Sequence, residues 1–135
     1  MARTLLPDIS VRLNMTLADS IQSPVVDMRW TPICVNDDDL DDIIPISDEA
    51  LLSIAYEKED ITLAVSADTY GNRFEQAFHS NGGFTVKYLL DCVLEFEKTS
   101  RMRALSTDGF IDAHHVFFEG LEEMPDGTFY VVWGS

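Results

Sequence analysis

Apolar and polar residues alternate in short runs along most of this chain, and in one place the alternation gives way to a helical period. ITLAVS (61–66) places Ile61, Leu63 and Val65 on one side, and RFEQAF (73–78) does the same with Phe74 and Phe78, so the spacing predicts two antiparallel strands around the turn residues ADTYGN. For RFEQAF a short helix is the rival, because Phe74 and Phe78 are also four apart. SVRLNM and PVVDMRW are further strand candidates. In the second, Val26, Met28 and Trp30 form the set expected to face a core. Pro7, Pro24 and Pro32 keep this N-terminal third in extended segments and turns.

After the SNGG break at 80–83 the period changes to that of a helix, predicted for about 85–98 with Thr85 as its cap. Its apolar set is Val86, Tyr88, Leu89, Leu90, Cys92, Val93, Leu94 and Phe96. Lys87, Asp91, Glu95 and Lys98 fall within a stripe of roughly 80°, with Glu97 at its flank. A helix apolar over most of its circumference must be enclosed, so this segment is the expected centre of the fold. A second, short helix is predicted for about 48–56, with Ser47 as N-cap and Asp48 and Glu49 in its first turn. The chain closes on a hairpin turning at Met124-Pro125-Asp126-Gly127, where proline fixes φ and glycine accepts a positive one. Phe129, Val131 and Trp133 share one face of the last strand. Phe117, Glu119 and Leu121 share a face of its partner, with Val116 and Phe118 on the other. The expected class is α+β, a mostly antiparallel curved sheet packed around one central helix, in a single domain over 1–135.

Charge changes the picture in one region. The chain carries a formal −15, and residues 36–60 hold ten acids against one lysine, a local −9. Asp37, Asp39 and Asp41 can be tried as the first ligands of a calcium loop, but the sixth position is then Asp42 instead of glycine and the twelfth is Asp48 instead of glutamate. Residues 36–47 are therefore expected to form a solvated acidic surface loop, with Asp37, Asp38, Asp39, Asp41 and Asp42 as candidate contacts to a basic protein partner. Nine Lys and Arg residues are too few for a phosphate-binding face, so neither nucleic acid nor an anionic membrane is expected as a partner. No secretory signal or membrane span is visible, and the chain reads as intracellular, cytoplasmic or nuclear.

Candidate chemistry is sparse. Asp112, His114, His115 and Glu119 are the one cluster of metal-competent residues, but neighbouring strand residues point to opposite faces and a helical His-x-x-x-His spacing is absent. No nucleophile elbow, dinucleotide fingerprint or phosphate loop occurs. Cys34 and Cys92 lack metal spacing and read as reduced thiols, Cys92 as a small core residue with an activated nucleophile as the rival. No cofactor is expected.

Two stretches resemble a domain family of unknown function expanded in basidiomycete fungi. GFTVKYLLDCVLEF is similar to its "(V/F)TVxD(V/L)LxAVYxxL" helix, and HHVFFEGLEEMPDGTFYVVWGS to its "DHxFFEGL…DGxYxxxxGS" ending. Asp27-Met28-Arg29 looks like its "WDLR" element with Val26 in the tryptophan's place, and Tyr88 stands where the helix usually has aspartate. The resemblance covers much of 25–135 and implies an α+β scaffold in a fungal intracellular setting, without a reaction. The expected function is a non-catalytic protein-interaction module whose partner is a basic protein or a second copy. A small enzyme or metal-binding protein using the Asp112–Glu119 region with His79, and an acidic nucleic-acid mimic that blocks a basic protein, are the alternatives.

Overall fold

The computed structural model describes residues 3–7, 9–18, 25–31, 33–37, 42–65, 74–108 and 117–134, with 10, 14–18, 25–29, 34–37, 42–44 and 102–108 described by backbone alone. In chain order the elements are β1 (Thr4–Leu5), β2 (Ile9–Ser10), β3 (Leu13–Ala18), β4 (Val25–Trp30), β5 (Cys34–Asp37), β6 (Asp42–Pro45), α1 (Asp48–Leu51), β7 (Ile54–Tyr56), β8 (Asp60–Ala64), β9 (Glu75–His79), β10 (Phe84–Thr85), α2 (Val86–Asp108), β11 (Phe117–Glu123) and β12 (Phe129–Gly134). This is an α+β fold, with an open, largely antiparallel sheet packed against one central helix.

The main sheet runs β1-β11-β12-β8-β9, and its single parallel contact is β12 beside β8. Smaller ladders join β10 to β7, β2 to β5, β5 to β6, and β3 to β4. The predicted turn closes the β11–β12 hairpin: Gly127 N donates to Met124 O at 2.9 Å, Gly127 has φ +89°, and the Asp126 carboxylate accepts from Thr128 N at 3.0 Å.

Helix α2 sits where its pattern requires. Leu89, Leu90, Val93 and Phe96 have no exposed surface and pack with Leu63, Phe84, Leu121 and Phe129 from the strands. Thr85 caps it as expected, its Oγ1 accepting from Tyr88 N at 3.1 Å. Two features of the prediction change. The helix continues to Asp108, ten residues beyond the predicted Lys98, because SRMRALS contains strong helix formers and no glycine or proline to stop it. Glu97 also moves from the wet flank to the interior at 3% exposure, while the wet arc gains Tyr88 and Thr99 and widens to about 120°.

The second helix is shorter than predicted. Ser47 caps it, accepting from Ala50 N at 3.1 Å, but it stops at Leu51. Ser53 Oγ donates to Ala50 O at 2.6 Å, Val86 N donates to Ser53 O at 3.0 Å, and Ile54–Tyr56 then pairs with Phe84–Thr85. Tertiary pairing overrides the local helical preference of this stretch. The predicted acidic loop over 36–47 is likewise partly regular. Asn36 and Asp37 pair with Ile43 and Asp42 as the two arms of a hairpin, because the β-branched pair Ile43-Ile44 supplies strand propensity inside the acidic run.

Two β-bulges reassign faces that strict alternation would misplace. On β11 the register slips between Phe118 and Gly120, so Phe118 and Leu121 are both buried while Phe117 is 48% exposed. On β7 the slip at Ala55 turns Ile54 outward and Tyr56 inward, to 56% and 4% exposure.

Candidate functional site

The residues singled out for chemistry do not converge among the described residues. Asp112, His114 and His115 lie outside them. Glu119 is exposed on β11, beside Gly134. His79 ends β9, three strands away in the sheet order, so at about 4.8 Å per strand the two are more than roughly 14 Å apart. Among the described residues no three His, Cys, Asp or Glu side chains are grouped to hold a metal ion. Of the acidic-hairpin candidates, Asp37 and Asp42 face one another in register, and Asp38, Asp39 and Asp41 lie outside the described residues. Cys92 is buried, and burial pushes its thiol up to about 11, so it is protonated and unreactive near neutrality.

Three polar constellations do form. The first is inside. Arg101 Nε donates to Glu97 Oε2 at 2.8 Å, with side-chain exposures of 8% and 3%, and Trp133 Nε1 donates to Glu97 Oε1 at 3.0 Å. The guanidinium lies 4.9 Å from the centre of the Trp133 ring, which stacks on Trp30 at 5.8 Å. Trp30 Nε1 in turn donates to Leu90 O at 3.0 Å. Both carboxylate oxygens are satisfied, and one residue each from β4 and β12 is tied to α2. This cluster holds the helix against two strands. The sequence carried its signal in the i, i+4 order Glu97-Arg101, which the amphipathic pattern alone did not value.

The second constellation closes the turn before α2. His79 Nδ1 is 2.8 Å from Asp60 Oδ1, and Nε2 is 2.9 Å from Asn81 Oδ1. Gly82 N donates to Glu59 Oε2 at 2.7 Å, and Tyr88 Oη donates to His79 O at 3.2 Å. The acceptor carboxylate of Asp60, then Asn81, raises the His79 pKa above its usual value. With both ring nitrogens occupied, His79 fastens β9 to β8 instead of presenting a base to solvent.

The third is a surface. Leu52 and Ile54, 66% and 56% exposed, are the two most exposed large apolar side chains of the described surface. Ahead of them stand exposed Asp48 and Glu49, and after them exposed Glu57, Glu59 and Asp60, with Lys58 the only cation within 48–60. Glu57 accepts both guanidinium nitrogens of Arg3 at 2.7 Å, which holds its carboxyl down at about 2. Two exposed aliphatic side chains thus stand between acidic residues along the chain at the corner of α1 and β7, where Glu57 is paired with Arg3 and Asp60 with His79. Sequence reasoning missed it because 48–56 reads as one short helix, whereas the helix stops at Leu51 and a bulged strand follows with Ile54 outward.

No family model, curated protein or solved structure matches the chain. No helix among the described residues is long and apolar enough to cross a membrane.

Proposed function

We propose that this chain is a non-catalytic protein-interaction module that binds a basic protein through the α1–β7 corner. The observation that supports the reading is the exposure of two branched aliphatics flanked along the chain by exposed carboxylates. Specific interfaces are built with an apolar centre that excludes water and a polar rim that sets orientation and encounter rate. The fitting partner segment carries one or two apolar residues flanked by Lys or Arg. A whole-chain charge of −15 draws such a partner in at long range and discourages polyanions.

Affinity capture from native cell extract at low and high salt, with wild type beside the double variant Leu52→Ser/Ile54→Ser, tests this. Wild type is expected to retain a basic protein whose recovery falls with salt, and the variant to lose it. Retention of the same protein by the variant, or capture of nothing together with turnover in a substrate screen, would remove the basis of the reading.

A further inference from the structure

Asn14, Asn36, Asn72 and Asn81 are the asparagines of the chain, and Asn81 alone is followed by glycine. That pair is the one most open to attack by its own backbone, because glycine has no side chain to shield its amide nitrogen and bends readily into a ring. Asn81 and Gly82 are both exposed, and a Cβ built on Gly82 would meet nothing within 4 Å. Solvent therefore reaches the reacting groups.

The folded turn holds those groups apart. Gly83 N donates to Ser80 O at 3.2 Å, and Gly82 has φ +80° whereas Asn81 does not have a positive φ. This is a type II turn, with ψ of Asn81 at about +120°. At that angle Gly82 N is turned away from the Asn81 side chain, and closing a five-membered ring requires ψ of the opposite sign. Both partners are also tied to neighbouring segments. Gly82 N donates to Glu59 Oε2 at 2.7 Å, and Asn81 Oδ1 lies 2.9 Å from Nε2 of His79, whose Nδ1 is 2.8 Å from Asp60 Oδ1. Ser80 N adds a bond to Glu59 O at 2.8 Å.

We propose that Asn81 is a self-modification site that deamidates through a cyclic imide with Gly82, at a rate set by opening of the clasp that Glu59 and His79 place on the turn. Once the turn opens, Gly82 N gives its proton to solvent and bonds to Asn81 Cγ. The Cγ–Nδ2 bond breaks, and the side-chain nitrogen takes up a proton and leaves as ammonia. Water then opens the succinimide at one of its two carbonyls. Attack at Cγ returns the main chain and leaves aspartate, whose carboxylate stands beside His79 Nε2. Attack at the Asn81 main-chain carbonyl breaks its bond to Gly82 N and leaves isoaspartate, which lengthens the backbone by a methylene. The turn has no room for it on one side, since a Cβ on Gly83 would lie 2.8 Å from the Tyr56 carbonyl oxygen. Isoaspartate at 81 therefore strains the pairing of β10 with β7. The chemistry is independent of partner binding at the α1–β7 corner, so either can fail without the other.

Peptide mapping by mass spectrometry during long incubation of the full chain at near-neutral pH tests the proposal, with Glu59→Ala and His79→Ala beside wild type, and wild type unfolded in guanidinium as the open reference. An Asn81→Asp chain marks the elution of one product, which identifies isoaspartate beside it. Folded wild type is expected to convert Asn81 about tenfold more slowly than the unfolded chain, and each variant about threefold or more faster than folded wild type. In the variants amide exchange at Gly82 should quicken while that of the buried Leu89–Phe96 segment stays as in wild type, which separates opening of the turn from loss of the fold. Should one variant lose its fold, the other decides. Asn81 left intact in guanidinium, equal rates in folded and unfolded wild type, or folded variants no faster than wild type overturns the proposal.

Discussion

At the scale of single residues, the polar clusters among the described residues hold elements of the fold together. Glu97 is 3% exposed and both of its oxygens accept, one from Arg101 and one from Trp133. Removing one partner of such a pair leaves a charge in a dry site, so Arg101→Met is expected to cost about 3–5 kcal/mol, against a total of about 5–15 kcal/mol for a domain of this kind. Urea unfolding followed by circular dichroism measures it; a loss under about 1 kcal/mol would show that Glu97 is not relying on Arg101. Gln76 presents the opposite case. Its Oε1 is buried without a hydrogen-bond partner, and Gln76→Met is expected to raise stability by about 1 kcal/mol in the same assay. His79 supplies a pH signature. Its pKa is raised in the folded state, so its contribution is complete below the unfolded value near 6.5 and disappears as pH climbs through the folded value. Glu57, lowered to about 2, contributes above its ordinary 4.5 and loses that contribution as pH falls through 2. Comparing melting temperatures of wild type and His79→Gln, the difference should shrink as pH rises above about 6.5. A constant difference would contradict the Asp60–His79–Asn81 clasp.

At the scale of elements, two bulges and one helix stop decide what faces solvent. Gly120 makes the β11 bulge feasible. It adopts φ +117°, and a Cβ there would lie 2.9 Å from the Leu5 carbonyl oxygen of neighbouring β1. Gly120→Ala should therefore destabilise by about 1–3 kcal/mol or more and loosen β1 from β11, read as faster amide exchange at Leu5 and Leu121. Slow exchange at both in the variant would show that the bulge tolerates a side chain. These same devices mark where the sequence was legible and where it was not. The period of Val86–Phe96 apart from exposed Tyr88, the Thr85 and Ser47 caps and the Pro125-Gly127 turn are local, and each stands in the structure as read. Bulges are set by the partner strand, so alternation put Phe117 with Leu121 and the ladder separated them, while Ile54–Tyr56, read as part of a helix, is a bulged strand. The stop after Leu51 also depends on a strand that arrives some thirty residues later in the chain, Phe84–Thr85. For that reason the Leu52–Ile54 surface could not be seen in the sequence, whereas the acidic residues on either side of it in the chain could.

At the scale of the whole molecule, a formal −15 on 135 residues is a long-range field superimposed on a well-packed centre. Self-repulsion lowers the stability of the compact state and is relieved by salt, so the melting temperature is expected to rise between low ionic strength and about 0.5 M sodium chloride. The same salt should weaken capture of a basic partner, and that opposite response separates binding from folding. The large apolar side chains divide along the same line. Trp30, Trp133, Phe84, Phe96 and Phe129 pack against α2 and the sheet, while Leu52 and Ile54 stand outside the core. Hydrogen–deuterium exchange of the full chain, alone and saturated with the basic protein it captures, tests the central claim most directly. The account predicts added protection in peptides covering Asp48–Asp60, with the amides of the buried Leu89–Phe96 segment unchanged. Protection confined to the β11–β12 hairpin, with 48–60 exchanging as in the free chain, would contradict it.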